Sequence, residues 1–436
     1  MRLRFIQFFY PMQMNEGRRP HHPLPLSLRS VVLIIIALLI VQGCATPVRR
    51  AAVPQALTLK AEIPGLPDIR YRMGNPDDLA AMARASGETL QRELAYRAKT
   101  GQDGPLPPAV YLAVSGGGDN GAFGAGLLNG WTASGNRPPF KLVTGVSTGA
   151  LIAPFAFLGS EYDSKLKDFY TGVSPKDILE PRSLFAAITS DAMADNRPLW
   201  KRVEKEVNQE LLDAIAAEWE KGRILLVGTV DLDARQGIIW NMTKLAATRD
   251  PRALPLFRSI LIASAAIPGA FPPVMIDVEV DGQPYQEMHV DGGTLAQVFV
   301  YPPSLKVGEL ARAQGIERER RLYVIRNARL DPDWAQVERR TMTIAGRAVS
   351  ALLHSQGVGD LYRIYQIAQR DAVDYNLAYI PTTFKAPHKE EFDTEYMRAL
   401  FAVGYDMAAK GYPWQKAPPG WTADSATTRT TLKTPQ

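Results

Sequence analysis

Three glycine-punctuated segments hold the residues able to do covalent chemistry. One is Gly145-Val146-Ser147-Thr148-Gly149, a G-x-S-x-G. A serine between glycines fits a sharp strand-to-helix turn that exposes the hydroxyl and aims the next helix N-terminus at it. Backbone N–H groups in such a turn favour a developing oxyanion. The pattern alone is weak, and a glycine turn with an incidental serine is its alternative. A second segment is Gly116-Gly117-Gly118-Asp119-Asn120-Gly121. A dinucleotide loop would need an acidic residue roughly 20 residues further on to hold a ribose. Between Gly121 and Ser160 there is none, and no Gly-Lys-Ser/Thr follows to make a P-loop. The favoured reading is a loop whose N–H groups converge on a substrate oxygen. The third segment is Asp291-Gly292-Gly293 after Met288-His289-Val290. It holds an aspartate at a strand end on a tight turn. An ordinary Asp-Gly turn, such as Asp281-Gly282, is the alternative.

These segments need elements to carry them. Ala109–Val114 is an apolar run with β-branched and aromatic residues, and it ends at Ser115-Gly116. A helical stretch, Ala122–Trp131, follows. Lys141–Thr144 then runs into Gly145, and an apolar helix starts at Gly149. Strand, glycine turn and helix, twice over, is an α/β pattern with a buried parallel sheet. Further strands are expected at Arg223–Val230, Gly237–Asn241, Arg321–Arg326 and Tyr375–Ile380. Asp77–Lys99 is expected as a surface helix and Thr341–Asp371 as a long one. Residues 45–70 are rich in Pro and Ala and suggest a tether. The tail from about Gln415 has the composition of a disordered end.

The composition narrows the class. Hydrophobic residues are 46% and charged residues 22%, so the chain is globular rather than disordered or coiled coil. A length of 436 residues suits one large domain with extensions. One cysteine excludes an internal disulfide framework and a Cys-rich zinc site, and five histidines leave little room for a His-rich metal centre. The net charge is +5, but Arg2, Arg4, Arg18, Arg19 and Arg29 precede residue 44 against a single Glu16. Without them 45 basic and 44 acidic residues remain. That balance gives no footing for nucleic-acid binding.

The N-terminus has the look of an export signal. Val31–Val41 is unbroken and apolar, follows arginines, and is short of the about 20 residues needed to span a bilayer. Val41-Gln42-Gly43-Cys44 resembles the lipobox of bacterial lipoproteins, in which the cysteine is lipidated. The alternative is a simple signal peptide or anchor with Cys44 a bystander. The only thiol of an exported chain standing at that place favours lipidation. With Ala45 after it, resemblance to other bacterial lipoproteins implies an outer-membrane location facing the periplasm.

Taken in order, Gly116–Gly121, Gly145–Gly149 and Asp291-Gly292-Gly293 resemble the patatin-like phospholipase family. Ala263-Ser264-Ala265-Ala266-Ile267-Pro268-Gly269-Ala270-Phe271-Pro272-Pro273 is similar to that family's S-A-A-x-P-x-x-F-P-P stretch. The resemblance implies a three-layer α/β/α sandwich with a mainly parallel sheet. It implies Ser147 as nucleophile and Asp291 as its partner in a dyad. It also implies Gly116, Gly117, Gly118 and Asp119 as an oxyanion hole. Gly121, Gly145, Gly149, Gly292 and Gly293 are the motif glycines. The implied reaction is hydrolysis of a lipid acyl ester through an acyl-enzyme, without metal or organic cofactor. The domain layout that follows is a signal peptide over 1–43 and a lipidated N-terminus, tether and surface helix over 44–105. The catalytic domain follows over 106–385, then a partly disordered extension over 386–436. One departure stands out: the family usually has Arg or Lys where this chain has Asn120, after Asp119. The loop thus trades positive for negative charge, which bears on headgroup preference.

The residues also speak for a dyad. A triad in α/β-hydrolase order needs a histidine after the acid. Only His289, His354 and His388 lie in the mature domain, and His289 stands two residues before Asp291, so in a strand it shares a face with it. Each is more simply a surface or core histidine. An aspartate with an ordinary pKa near 4 is a weak base for a serine, unless burial raises it. Asp231 and Asp233 are a possible metal pair, with a strand-end turn the stronger reading. Trp131, Trp240 and Phe155 suit the core better than lipid contact. Leu254, Leu256 and Phe257 are possible acyl-pocket residues, with core packing the simpler account. The expected partners are a lipid acyl-ester substrate and a membrane reached through the N-terminal lipid, with no nucleic acid. Acyl transfer by the same dyad, or a non-catalytic lipid-binding envelope protein, are the rival functions.

Overall fold

A computed structural model describes residues 49–183 and 190–421. Cys44, the apolar run before it and residues 422–436 lie outside them. The strands of the main sheet are β1 (Arg70–Arg72), β2 (Ala109–Val114), β3 (Leu142–Val146), β4 (Ile224–Asp231), β5 (Gln236–Asn241), β6 (Val274–Val280), β7 (Gln283–Asp291), β8 (Arg320–Arg326) and β9 (Asp374–Tyr379). The α-helices are α1 (Pro76–Lys99), α2 (Gly121–Ala133), α3 (Thr148–Leu158), α4 (Asp163–Thr171), α5 (Arg197–Glu206), α6 (Gln209–Glu220), α7 (Met242–Ala247), α8 (Ala253–Ser264), α9 (Val307–Ala313), α10 (Thr341–Arg370) and α11 (Thr394–Ala409).

Across the sheet the order is β1-β5-β4-β3-β2-β8-β9. The run from β4 to β9 is parallel. β5 and β1 extend it antiparallel at one edge. The hairpin β6–β7 attaches through β7, which pairs antiparallel with the end of β4 and sets Asp291 opposite Thr229. Along β2, Val110, Leu112 and Val114 enter one apolar core, and Ala109, Tyr111 and Ala113 enter the other. Burial on both faces is why the run carries no polar alternation. Helices α2, α3, α6, α8 and α11 cover the first face, and α1, α9 and α10 the second. The result is the three-layer α/β/α sandwich with a mainly parallel sheet.

The buried strands and helices match their expected ranges to within about two residues, because continuous apolar runs mark them. The hairpin β6–β7 was legible only at Met288–Val290. Its strands are half exposed, with Asp277 and Glu279 turned outward, so it lacks the long apolar signal. Asp281-Gly282 is its turn, with φ 49° and 78°, the two positive values a two-residue hairpin loop demands.

Both ends of the described chain differ from expectation. From Arg49 onward the presumed tether is bound to the domain. Ala61, Ile63, Leu66 and Ile69 are buried in the core, Glu62 bridges Glu279, and Arg70–Arg72 pair with β5. Small residues spaced by prolines suit a strap laid over a surface as well as a free linker. The C-terminal stretch is likewise built in up to Trp421. Gln415 bridges Leu377, and Trp414 packs its ring against Trp131 and Tyr323. Helix α11 lies almost touching α2. A Cβ on Gly126 would stand 2.0 Å from the carbonyl oxygen of Phe401, and one on Gly404 would stand 2.4 Å from that of Phe123. The two backbones meet because neither carries a side chain there. A Gly126→Leu variant should therefore lose about 1–3 kcal/mol. A thermal melt followed by circular dichroism should show a drop of several degrees, and an unchanged melt would refute the close contact.

Candidate active site

β3 ends at Val146 and α3 begins at Thr148, so Ser147 alone makes the turn. Its φ is 56° and its ψ −128°, a backbone that costs a non-glycine residue on the order of 1–3 kcal/mol. The flanking glycines are required by contact. A Cβ on Gly145 would lie 2.4 Å from the Gly149 carbonyl oxygen, and one on Gly149 would lie 2.3 Å from that of Val114. Ser264, the last residue of α8, fastens the turn. Its hydroxyl accepts from the Ser147 N–H (3.0 Å) and donates to the Gly228 carbonyl of β4 (2.7 Å).

β7 delivers Asp291 to the same place. The Asp291 N–H donates to the Ala266 carbonyl (2.9 Å), two residues beyond Ser264. One carboxylate oxygen accepts from the Gly293 N–H (2.7 Å), and the Ser147 hydroxyl is the side-chain hydrogen-bond partner. Burial pushes the Asp291 carboxyl up to about 7, against the downward pull of those two hydrogen bonds. The weakness of an aspartate as base is thus met by desolvation.

The histidines are occupied elsewhere. His289 does share its strand face with Asp291, as a period of two requires, together with Glu287. Its ring is fully buried, with Nε2 3.0 Å from Glu287 and Nδ1 2.9 Å from the Thr229 hydroxyl. Glu287 in turn holds Arg70 through contacts of 2.5 and 3.1 Å. Burial raises the Glu287 carboxyl, but the Arg70 charge and His289 outweigh it and bring it down to about 2. His388 meets Asp119 at 2.7 Å. His354 offers its carbonyl to Arg326. Among the described residues no histidine is hydrogen-bonded to Ser147 or Asp291.

The glycine loop corrects one expectation. The Gly116 N–H donates to the Gln297 carbonyl (2.9 Å), so it is not free to face a substrate oxygen. That leaves Gly117, Gly118 and Asp119 of the expected oxyanion set. Gly117 has φ 151°, and a Cβ there would stand 2.1 Å from the Asn327 carbonyl oxygen. Asn327 holds the loop base: its N–H reaches the Ser115 hydroxyl (2.8 Å) and its Nδ2 the Ser115 carbonyl (2.9 Å). Asp119 does not present its charge to the site. It is buried, and its carboxylate faces the C-terminal segment, accepting from the Phe392 N–H (3.0 Å) beside the His388 contact. Asn120 accepts from the Tyr396 hydroxyl (2.6 Å). Asn120, which departs from the family pattern, and Asp119 beside it therefore dock the chain's own extension.

That docking shapes an apolar cleft beside Ser147, of about 470 Å³ including its open mouth. Leu151, Tyr170, Phe271, Phe392 and Met397 are among its walls. Leu254, Leu256 and Phe257 are not; they pack into the core, Phe257 completely buried. Sequence reasoning missed Gln297, Asn327 and Phe392, which act through tertiary contact. Ser264 stood in the quoted S-A-A stretch without a role.

Residues 112–302 match the family described as Patatin-like phospholipase. Over those residues the chain is similar to patatin-like phospholipases. Ser147, Asp291 and Gly116–Gly121 all lie inside the patatin-like match, whereas α1, α10, α11 and Phe392 lie outside it. A search of curated proteins gave no match. VipD from Legionella pneumophila, known from a crystal structure, is similar at 12% identity over 70% of this chain and 66% of that one, with a TM-score of 0.33. The chain thus spans just under two thirds of that protein's length, and nothing further rests on so low a score. The patatin-like family is one of lipid acyl hydrolases.

Asp119, His388 and Glu391 are the one set among the described residues whose ligand atoms, within 4.8 Å of one another, suit a shared cation. Two of them already hydrogen-bond each other. The other acidic pair is a turn: the Asp233 N–H donates to Asp231 (3.1 Å), and the Asp233 carboxylate pairs with Arg49 (2.5 Å).

Two predictions follow from Asp291 and Ser264. Activity needing the Asp291 carboxylate should rise with pH through about 7, read as kcat/KM against pH. Stability has the opposite sign. The folded protein keeps the Asp291 proton that the unfolded chain loses near pH 4, so this residue's contribution falls between about pH 4 and 7. At pH 8 Asp291→Asn should raise the melting temperature while abolishing activity; a lower one would contradict the buried charge. Ser264→Ala leaves the Ser147 N–H and Gly228 carbonyl without this partner. It should cost about 1–3 kcal/mol and lower kcat more than it raises KM.

Proposed function

We propose that the protein hydrolyses fatty-acyl esters of lipids through an acyl-enzyme on Ser147, with Asp291 as base. One observation supports this reading above the others. The Ser147 hydroxyl stands between a buried carboxyl poised near neutrality and an apolar cleft of the kind that suits an acyl chain. Ser147 Oγ attacks the ester carbonyl as its proton passes to Asp291. The carbonyl oxygen gains charge facing the Gly117 and Gly118 N–H groups and the N-terminus of α3. The carbonyl re-forms, the alkoxide leaves, and Asp291 returns the proton to it. Water then completes the cycle: Asp291 takes a proton from it as the water oxygen attacks the acyl carbonyl, the bond to Ser147 Oγ breaks as Asp291 returns the proton to Oγ, and a fatty acid departs.

The reading extends to an enzyme held at a bacterial membrane by a lipid on Cys44. No helix among the described residues is long and apolar enough to cross a membrane. A lipid anchor would confine the enzyme near an insoluble substrate and raise its effective concentration there. Cys44→Ser should then move the protein from the membrane to the soluble fraction.

The deciding test is hydrolysis of p-nitrophenyl acyl esters of graded chain length by the full chain and by Ser147→Ala. The wild type should turn over at least about 10³-fold faster. Equal background rates in both would overturn the reading. Ester formation with added alcohol, outpacing release of free acid, would favour acyl transfer instead. Phe392→Ala should shift the preferred chain to longer acyl groups, because it removes a wall of the cleft.

A further inference from the structure

A second opening lies at the other end of the sheet. It enters between α1 and α9, against the second face of the sheet, where β2, β3, β4 and β8 begin. It encloses about 1050 Å³ including its open mouth, at the upper end of the about 300–1,000 Å³ typical of ligand pockets. From Leu142 at the start of β3 to Ser147 is five residues, about 17 Å at 3.3 Å per residue. The two openings therefore face opposite ends of the strands.

The lining is mostly apolar and includes one cationic cluster. Met82, Leu90, Leu226, Leu305 and Leu310 supply the apolar wall. Small residues on α1, in the run Ala83 to Gly87, leave the space unfilled. Lys141, Arg318 and Arg320 also line it, with Glu93 the only carboxylate in the lining. Glu93 is shared: Lys141 reaches it at 2.6 Å, and Arg318 grips it at 2.8 and 3.1 Å. Arg320 has no carboxylate partner among the described residues; its guanidinium donates to the Arg318 carbonyl (3.5 Å) and hydrogen-bonds the side chain of the buried Tyr111. Burial, the larger cause, and the charges of Arg318 and Arg92 lower the Lys141 ammonium to about 8, although Glu93 raises it. Three cations against one anion leave an excess that an incoming negative group would neutralise.

We infer that this cavity binds a long-chain fatty acid, its chain on the apolar wall between α1 and α9 and its carboxylate at Arg320. A single negative head on an apolar tail matches the site in charge and in polarity. The site is separate from Ser147 and does not depend on hydrolysis there. A fatty acid is nonetheless the class of molecule that such hydrolysis would release.

Photo-cross-linking of the full chain in phosphatidylcholine vesicles tests this. The probes are a hexadecanoic acid bearing a mid-chain diazirine and its methyl ester, with peptide mapping by mass spectrometry. The acid should label peptides spanning Ala83–Leu90 and Val307–Gln314. Labelling there should fall about tenfold with the methyl ester and with Arg320→Gln, the loss expected of one charge-assisted hydrogen bond. The comparison of acid with ester is made on Ser147→Ala, which cannot turn the ester into the acid through Ser147 and leaves this cavity unaltered, so it holds even where the Arg320 variant folds poorly. Equal labelling by acid and ester would overturn recognition of the carboxylate. Labelling confined to peptides around Ser147 and Phe392 would overturn the site. Neither result alters the p-nitrophenyl ester test of Ser147, so the two readings fail separately.

Discussion

At the end of β3 the chain passes so close to itself that only glycine fits on either side of Ser147. Gly149 lies against the Val114 carbonyl of β2, and Gly145 lies against Gly149 across the turn. That contact forces α3 to start within one residue of the strand, and it forces Ser147 into positive φ. A strained residue persists only where its surroundings over-determine it. Here they do so through Ser264, whose hydroxyl joins the Ser147 N–H to the neighbouring strand β4. Two residues further on, the carbonyl of Ala266 takes the Asp291 N–H. A single short stretch after α8 thus sets both members of the pair in register.

Charge is arranged around that pair with opposite outcomes on one strand face. Glu287 and Asp291 are both buried on β7, yet their carboxyls move in opposite directions. Glu287 has Arg70 and His289 against it, so its charged form is held. Asp291 has only neutral hydrogen-bond donors, so desolvation dominates and its proton is retained to near neutrality. The first arrangement fixes the N-terminal strap to the sheet. The second holds a carboxyl whose affinity for a proton suits exchange with a serine hydroxyl.

Parts outside the patatin-like match complete the site. Helix α11 packs on α2 through facing glycines, and this brings the segment before it over the glycine loop. Asp119 and Asn120 then hold Phe392 and Tyr396 through hydrogen bonds. With Phe392 and Met397 in its wall, the cleft owes part of its form to residues more than 240 positions away from Ser147.

Local chemistry explains what could be read directly from the residues. Glycine patterns mark places where backbone must approach backbone, and continuous apolar runs mark strands buried on both faces. So the sequence by itself determined the central strands, the helices that follow them, the elbow at Ser147 and the candidacy of Asp291. It did not determine the hairpin β6–β7, whose half-exposed strands lack a continuous apolar run, nor the docking of residues 49–72 and 386–421. Those stretches look like linkers because their few apolar residues become useful only against a surface formed elsewhere. The fates of Gly116, Asp119 and the histidines were also decided in three dimensions. A donor is committed or a carboxyl desolvated only by groups distant in the chain: Gln297 for Gly116, His388 and Phe392 for Asp119, Glu287 and Thr229 for His289. Spacing along the chain selects residue types able to react, while burial and partner choice, which set proton affinity and free donors, exist only once the layers have packed.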